Sequence, residues 1–346
     1  MVSRINSPKV LSPDGSSRFL VMLKLIQTLF KEERKSLTIL DVGGGSPYMT
    51  HILEDLKTPY EHTTIDILPR PKGLSGKYIQ GDATQMSFDD NTFDLVVSTD
   101  VLEHIPIDKK KAFINECIRV AKDYIIIAAP FNTEGVDYAE HLTNDLNKKL
   151  FKQGQVWLEE HFEYQKPEVS MVEAIIKKHK LDFELIGTNN LNNWVLATHT
   201  NLIEAKHGLN KKKLIDNNSE FNDKILTSGD MTGPFYRHFF VIFKKKLTTK
   251  QRKELTSIRT QSVDYKSNLK YVHNLTSAVS DRIAMLRKEV SEKERLLQSA
   301  NQKIDNLQQE LSAKEAIIES CRPYLTLLNL GPRTIVRKFI KHTKRQ

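Results

Sequence analysis

A glycine-rich turn with an acid in front of it is the first group of residues that could bind a ligand. Asp41 is followed by Gly43, Gly44 and Gly45, at the end of the apolar run Leu37–Val42. Glycine lets the backbone approach a ligand closely and adopt φ values that other residues avoid. Taken alone, the turn fits a ligand site or a tight connection equally well, and Asp41 fits either a ligand contact or a brace for the turn.

A second acid ends the next apolar run, His62–Ile67. Asp66 lies about 20 residues beyond the glycines, where a carboxylate accepts hydrogen bonds from the two hydroxyl groups of a ribose. Ile67 follows it directly and is included in the same candidate site. The alternative is that Asp66 only caps the turn that leads to Pro69.

A third acid follows the third run, Tyr78–Gln80. Asp82 lies between Gly81 and Ala83, and a carboxylate there could accept a hydrogen bond from an adenine amino group while apolar neighbours pack on the ring. In isolation this would be an ordinary Gly-Asp turn. The order and spacing of the three acids favour a nucleoside site.

Two histidines beside glutamates are the candidate groups for proton transfer. His104 follows Glu103 in the turn after the run Phe93–Ser98, and His161 follows Glu160 in a later polar segment. A general base is required only if the reacting group is a hydroxyl or a protonated amine. The competing interpretations are that the first pair braces the next helix and that the second is a surface pair.

The elements that position these residues alternate between short apolar runs and amphipathic segments, which predicts a parallel sheet with helices on both faces. The predicted strands are Leu37–Val42, His62–Ile67, Tyr78–Gln80, Phe93–Ser98, Tyr124–Ala129 and Asp182–Ile186, with a further strand at Phe235–Phe243. The predicted helices are Arg18–Lys35, Tyr48–Lys57, Ile107–Ala121 and Glu168–Lys180. The polar stretches between them are expected to be irregular.

In this order the motifs resemble the class I S-adenosylmethionine-dependent methyltransferases, specifically their small-molecule branch. The resemblance covers Leu37 to Ala129, about a quarter of the chain. The acid with alternating glycines matches at Asp41, Gly43 and Gly45, whereas Pro47 replaces the third glycine of the family's pattern. The acid at Asp66, the segment Gly81-Asp82-Ala83 and the run from Phe93 to Pro106 match the family's later motifs.

The resemblance implies a Rossmann-like α/β fold whose seven-stranded sheet is mostly parallel, with Phe235–Phe243 as the antiparallel strand. It implies S-adenosyl-L-methionine as the cofactor, with the methionine end over Gly43–Gly45. Ser98 and Thr99 would lie beside the methyl donor. His104 is the favoured base, because the loop after the fourth strand faces the reaction centre in such folds.

The domain prediction has three parts: a methyltransferase domain over 1–245 with cap insertions at about 131–167 and 189–233, a coiled-coil helix over 246–322, and a basic amphipathic tail over 323–346. The helix is predicted from a heptad register of apolar residues, with Pro323 as its end. The register holds Leu269, Ile283, Val290, Leu297, Ile304, Leu311 and Ile318, with Thr276 as its polar member.

Several partners remain open. Self-association through 269–321 is favoured over packing of the helix along its own domain, and the tail at 333–346 could lie on an anionic membrane or be solvated. The chain carries a net charge of +9 and two cysteines, and it has no long apolar run. These features predict a cytoplasmic protein with no metal site, and the basic tail could place it at the membrane's inner face.

The favoured acceptor is a small molecule or a glycan, and by analogy with methyltransferases joined to coiled coils it could be a lipid-linked or chain-end sugar in polysaccharide assembly. A nucleic-acid acceptor is disfavoured because no Asn-Pro-Pro-Tyr or Asp-Pro-Pro-Tyr motif follows the fourth strand. A nicotinamide-dependent oxidoreductase is disfavoured because Tyr48 occupies a position where a pyrophosphate needs glycine. An inactive scaffold that acts through its coiled coil is the third alternative.

Overall fold

The computed structural model describes residues 13–30, 36–45, 48–72, 74, 76–208, 233–259, 265–328 and 337. The chain divides into two compact units, Met1–Arg282 and Ile283–Gln346. The first unit contains all seven strands and is described first.

The sheet confirms the predicted fold class. Its strands are β1 (Leu37–Val42), β2 (Tyr60–Asp66), β3 (Lys77–Gln80), β4 (Phe93–Thr99), β5 (Ala121–Pro130), β6 (Asp182–Asn190) and β7 (Phe235–Phe243). They lie side by side in the order β3-β2-β1-β4-β5-β7-β6. The pairings are parallel from β3 to β5, whereas β7 runs antiparallel to both β5 and β6.

The helices of this unit are α1 (Pro13–Leu29), α2 (Tyr48–Leu53), α3 (Lys110–Val120), α4 (Glu134–Phe151), α5 (Val156–Tyr164), α6 (Val169–Lys178), α7 (Leu191–His207) and α8 (Thr249–Arg259), with a 3₁₀ turn at Leu102–His104. The central strand β5 is buried along nearly all of its length, as expected for a strand covered on both faces. One apolar cluster joins α1 and α8 to the sheet, and a second joins α3 and α6 to it.

Several element boundaries differ from the prediction by a few residues, and two of them are helix starts. The helix α1 starts at Pro13 rather than Arg18, since proline is well suited to the first turn of a helix. The helix α3 starts at Lys110 rather than Ile107. The predicted extension of α1 through 31–35 lies outside the described residues.

The expectation of irregular structure over Pro130–Pro167 was wrong. That stretch forms α4 and α5, and α4 begins with a side-chain cap in which Thr133 accepts a hydrogen bond from the Val136 N–H. Its buried face mixes alanine and valine with glutamate, threonine and asparagine, so that the apolar periodicity was too weak to read. The second predicted cap segment contains α7, and its residues 209–232 lie outside the described part of the chain.

The long helix α9 (Tyr265–Leu328) has 64 residues. It continues through Pro323, which was predicted to end it, because a proline costs a helix one hydrogen bond and some local strain without always ending it. From Ile283 to Ile318 the heptad side chains are 47 to 63% exposed. The helix is therefore present with an uncovered apolar stripe, while the coiled coil remains a prediction.

None of the described helices is long and apolar enough to cross a membrane. Within the predicted tail at 333–346 only residue 337 is described. The helix α9 thus extends beyond the predicted boundary at 322, to Leu328. The boundary at 245 stays a prediction, although α8 packs Leu255 and Ile258 into the core of the first unit.

Candidate functional site

The glycine turn after β1 is held closely by its neighbours. Gly43 has a φ of +75°, and its N–H donates to the Ile65 carbonyl at 2.7 Å. A Cβ on Gly43 would lie 2.3 Å from a methyl of Val101, and a Cβ on Gly44 would lie 1.9 Å from Asp41 Oδ2. Both positions therefore require glycine.

Asp41 lies under this turn rather than open to solvent. Its side chain is 4% exposed, with Oδ2 3.7 Å from Nε2 of the equally buried His62. Burial raises the pKa of the Asp41 carboxyl, and His62 opposes that rise. Within the described part of the chain Oδ2 has no hydrogen-bond partner. These contacts show that Asp41 braces the turn; a direct contact with a ligand stays a prediction.

Asp66 ends β2 and performs the capping role that the sequence left open. Its Oδ1 accepts a hydrogen bond from the Leu68 N–H at 2.9 Å, whereas Oδ2 faces the turn, 3.3 Å from where a Cβ on Gly45 would lie. Ile67 and Leu68 are 68 and 64% exposed. A carboxylate oxygen facing the glycine turn, with two uncovered apolar side chains beside it, fits a ribose and an adenine ring.

Asp82 follows β3 and folds onto its own turn. Its Oδ1 accepts hydrogen bonds from the N–H and the hydroxyl of Thr84, which lowers the pKa of the carboxyl. The turn lies next to Asp66, because the Gly81 N–H donates to the Asp66 carbonyl at 2.9 Å. Ala83 packs against the second apolar cluster. The predicted adenine contact of Asp82 and Ala83 therefore adjoins the ribose position.

Ser98 and Thr99 form the end of β4, opposite Ile127 and Ala128 of β5. Ser98 is 1% exposed, and its hydroxyl oxygen contacts no hydrogen-bonding group among the described residues. Thr99 is half-buried. Their predicted position at the carboxyl end of this strand is confirmed, whereas their contact with a methyl donor stays a prediction.

Asp100 follows Thr99 with a left-handed backbone, at φ 54°. Its two carboxylate oxygens accept one hydrogen bond each, at 2.5 Å, from Nε and Nη2 of Arg237. Arg18 Nη1 donates to the same carboxylate at 2.8 Å. Burial acts to raise the pKa of Asp100, but the two guanidinium groups outweigh it and hold that pKa below its usual value.

The two candidate histidines, which are 57 residues apart in the sequence, meet in one cluster. Nε2 of His104 lies 3.3 Å from Nε2 of His161. The Nδ1 atom of His104 lies 2.7 Å from Glu160 Oε2, and Nδ1 of His161 lies 2.9 Å from Glu140 Oε1. Each ring therefore has one nitrogen on a carboxylate and the other facing its partner.

Glu140 on α4 is the carboxylate that holds His161. It is fully buried, and it also accepts hydrogen bonds from the Tyr236 hydroxyl at 3.0 Å and from Lys166 Nζ at 2.8 Å. Burial acts to raise its pKa, but its hydrogen bond and charge interactions with His161 and Lys166 lower it overall. The arrangement keeps an ionised carboxylate behind His161.

Glu103 is the third polar group of the cluster. It is 1% exposed, its Oε1 lies 4.0 Å from His161 Nε2, and its Oε2 contacts no hydrogen-bonding partner in the described ranges. Burial raises the pKa of Glu103 well above its usual value, and Asp100 adds to the rise. Burial and the neighbouring His161 lower the pKa of His104.

Lys110 fixes the turn that presents Glu103 and His104. Its ammonium group donates to the carbonyls of Leu102 and Ile105 at 2.7 and 2.5 Å. Burial lowers the pKa of Lys110 to about 8, although the nearby Glu103 acts in the other direction. The turn after β4 is thus tied to the first residue of α3.

These groups line a cavity of about 220 Å³. Its walls are Asp14, Arg18, Asp100, Glu103, His104, Trp157, His161, Trp194, Tyr236 and Arg237. The indole of Trp194 stacks on the Tyr236 ring with centroids 3.9 Å apart. The cavity is thus bounded by flat aromatic rings and by charged hydrogen-bonding groups.

Three charged residues beside the histidines were not predicted from the sequence. Asp100, Glu140 and Arg237 carry most of the cluster's buried charge, and none was proposed. Arg237 did leave a signal, because a charged residue within the apolar strand Phe235–Phe243 must find a partner to be buried. Glu140 left none, since it lies in a polar helix that resembled a loop.

Part of the chain matches the sequence model of a known protein family. Residues 40–127 match the sequence model of the family described as "Methyltransferase domain". Among curated proteins, the chain is 34% identical over 92 residues to an uncharacterized protein of Methanocaldococcus jannaschii, a match that covers 27% of this chain and 39% of that protein. It is 30% identical over 77 residues to an uncharacterized methyltransferase of Mycolicibacterium gilvum, covering 20% of this chain and 30% of the other. The matches span well under half of these relatives.

Solved structures are similar at lower identity. Phosphoethanolamine N-methyltransferase 2 of Haemonchus contortus, solved with S-adenosyl-L-methionine, is 17% identical with a TM-score of 0.43, over 68% of this chain and 54% of that one. A SAM-dependent methyltransferase of Archaeoglobus fulgidus is 14% identical with a TM-score of 0.39, over 65% of this chain and 92% of that one.

Proposed function

We propose that this chain, in which residues 40–127 match the methyltransferase domain family, transfers a methyl group from S-adenosyl-L-methionine to a small polar acceptor. The observation that carries the proposal is the placement of two groups of residues. The glycine turn with Asp66 lies at the carboxyl ends of β1 and β2, and the histidine cluster begins directly after the adjacent β4. Ligands of open α/β sheets bind at these strand ends.

The residues present fit the cofactor. Asp66 would hold the ribose through the oxygen that faces Gly45, Ile67 would pack on the adenine, and Asp82 with Ala83 would border the ring. The turn Gly43–Gly45 would receive the methionine end, next to Ser98 and Thr99. When bound, the cofactor supplies a methyl group on a sulfonium, so that the protein's main tasks are to align the acceptor and exclude water.

The acceptor belongs to the hydroxyl-bearing small molecules or glycans. The cavity is smaller than the roughly 300–1,000 Å³ of pockets for drug-sized ligands, which favours a compact acceptor or the terminal unit of a longer one. Aromatic rings such as Trp157 and Trp194 can pack on the C–H face of a sugar, while Glu103 and His104 can bind its hydroxyl groups. A lipid-linked or chain-end sugar of polysaccharide assembly is the narrower form of this proposal.

The acceptor's proton is removed at the pair formed by His104 and His161. Both rings line the cavity, and their Nε2 atoms lie 3.3 Å apart. The carboxylates of Glu160 and Glu140 orient the two rings from behind, as a general base requires.

Two further proposals concern the helix α9 and the basic tail. Self-association through 269–321 is supported by the exposed heptad stripe on α9, since such a stripe is normally covered by another helix. Contact of the basic tail 333–346 with an anionic membrane surface is supported only by its composition. A cytoplasmic protein at the inner face of the membrane would be compatible with both self-association and this membrane contact.

Isothermal titration calorimetry with S-adenosylmethionine, S-adenosylhomocysteine and NAD tests the proposed function. The first two should bind to the wild-type protein. Their binding should be lost in Asp66→Ala and retained in Asp55→Ala, which changes an exposed aspartate. Tight binding of NAD alone would identify an oxidoreductase, and no binding of any of the three would favour the scaffold.

A further inference from the structure

We propose that Glu103, His104 and His161 bind a divalent first-row transition-metal ion such as Zn²⁺, with one coordination position open to the cavity. One ligand atom from each residue lies within 4.8 Å of the other two. Two imidazoles and one carboxylate are a recurrent ligand set for such ions, both in zinc hydrolases and in iron enzymes. The site was not expected from the sequence, which predicted no metal.

The contact between the two rings requires a positive charge, either a metal ion or one proton that the rings share. Glu160 and Glu140 face the Nδ1 atoms, and an ionised carboxylate can only accept a hydrogen bond, so each Nδ1 carries a proton. With no further proton on either ring, both Nε2 atoms are lone-pair acceptors, yet they face each other at 3.3 Å. This contact is favourable only if a positively charged species lies between the two Nε2 atoms or is bound to one of them.

The spacing of the nitrogens suits a metal ion. With Zn–N bonds of about 2.0–2.1 Å, two ligand atoms of a tetrahedral site lie roughly 3.3 Å apart. The observed separation of His104 Nε2 and His161 Nε2 is the same. Glu103 Oε1 lies 4.0 Å from His161 Nε2, so the carboxylate would have to move closer to complete the site.

The groups around the two histidines are those expected of a metal site. Metal-binding histidines typically donate their other N–H to a carboxylate or carbonyl, which fixes the ring and raises its basicity, and both rings here have such a carboxylate. Glu103 adds a buried oxygen without a hydrogen-bond partner among the described residues. A hydrogen-bonded pair of histidines would not require that third group.

An ion at this place would serve the proposed methyl transfer. Its three protein ligands all line the cavity, so the remaining position faces the acceptor. With the ion bound, the two histidines are ligands rather than bases, and the ion takes over the activation of the acceptor: it lowers the pKa of a nearby hydroxyl, whose proton leaves to water. The O–CH₃ bond forms as the S–CH₃ bond of the cofactor breaks. This role rests on the proposed function, whereas binding of the ion does not.

The test is metal binding by the full-length protein after removal of metals with a chelator. Titration with ZnCl₂, and with CoCl₂ followed by visible absorption, should give one site per chain. His104→Ala and Glu103→Gln should weaken binding about tenfold or more. His179→Gln, an exposed histidine that bonds Asn115 elsewhere, should leave binding unchanged.

Circular dichroism of each variant establishes that it is folded, and His104→Ala is the decisive variant because His104 is the least buried of the three. Absence of a stoichiometric site in the wild type, or equal binding in His104→Ala and His179→Gln, would overturn the proposal and leave a proton shared by the two histidines. S-adenosylmethionine is titrated in parallel. If the protein binds the cofactor but no metal, only the metal proposal is rejected. If it binds metal but no cofactor, only the proposed function is rejected.

Discussion

Arg237 on β7 reaches across β5 to form a bidentate ion pair with Asp100, the residue that follows β4. The guanidinium is 1% exposed, so its charge depends on this carboxylate and on Asp14. The pair ties the antiparallel strand to the turn that carries Glu103 and His104. It therefore stabilises the fold and positions the candidate site together.

Removing this carboxylate should destabilise the protein. In Asp100→Asn the buried Arg237 loses its main counter-charge, and breaking a buried pair from one side costs about 3 kcal/mol or more. Urea unfolding at neutral pH measures the loss. The control is Asp90→Asn, whose partner Arg119 lies at the surface and which should cost under about 1 kcal/mol. Equal losses in the two variants would contradict the buried pair.

The same pair should make stability depend on acid. The pKa of Asp100 is lower in the folded protein than the 3.8 of an unperturbed carboxyl, so below that value unfolding takes up a proton. The contribution of the pair is complete above pH 3.8 and is lost as the pH falls through the folded pKa. The difference in unfolding free energy between wild type and Asp100→Asn should therefore narrow on acidification. A difference that stays constant down to the acid-unfolding range would refute this.

Two neighbouring glycines should respond differently to alanine. In Gly44→Ala the new methyl group would collide with the Asp41 carboxylate, and we expect a loss of about 2 kcal/mol in unfolding free energy. In Gly45→Ala the methyl group would lie 3.3 Å from Asp66 Oδ2, so stability should change little while affinity for S-adenosylmethionine falls. Thermal unfolding and calorimetric titration of both variants give the comparison. If Gly45→Ala retains the full affinity for S-adenosylmethionine, the ribose does not bind at the Asp66 oxygen that faces Gly45.

The carboxylate behind His161 should control the proposed ion site. Glu140→Gln replaces an obligatory acceptor with a neutral amide, and we expect the affinity for Zn²⁺ to fall about tenfold. Tyr236→Phe removes a different hydrogen bond to Glu140 and leaves its contact with His161, so its effect should be smaller. Competition with a chromogenic chelator measures both affinities. A larger loss of Zn²⁺ affinity in Tyr236→Phe than in Glu140→Gln would show that Glu140 does not act through the His161 ring.

Charged residues on the heptad stripe should disrupt self-association of α9. Leu297→Glu with Ile304→Glu places two like charges on the seam in each copy, and the protein should become monomeric in sedimentation velocity. The matched control is Gln298→Glu with Gln302→Glu, which adds the same charge beside the seam and should leave the oligomer intact. A wild-type protein that is already monomeric would exclude the proposal.

The sequence was sufficient for the sheet because each strand carries its own apolar pattern. Leu37–Val42 and Phe235–Phe243 were predicted with the bounds that the structure has, and the strand-end positions of Asp66 and Ser98 followed from them. Local patterns of this kind do not depend on distant parts of the chain.

The cluster around His161 could not be predicted in the same way. Its contacts join residues that are far apart in the sequence, such as Glu140 and Tyr236, and the helix that carries Glu140 buries polar side chains rather than an apolar stripe. Both histidines were found by residue type, but their meeting at 3.3 Å depends on how α5 packs against the turn at Leu102–His104. Only the three-dimensional structure contains that information.

The two parts of the candidate site, the glycine turn with Asp66 and the histidine cluster, have separate origins along the chain. The turn at Gly43–Gly45 and Asp66 precede residue 100, whereas Glu140, Glu160 and His161 belong to helices inserted after β5. Under the proposed function, substitutions in α4 and α5 would therefore change which acceptor is methylated without changing how the methyl donor is held. Relatives that exchange these two helices would be expected to diverge in acceptor while keeping the same donor, and chimeras joined at residues 131 and 167 offer a route to new specificities.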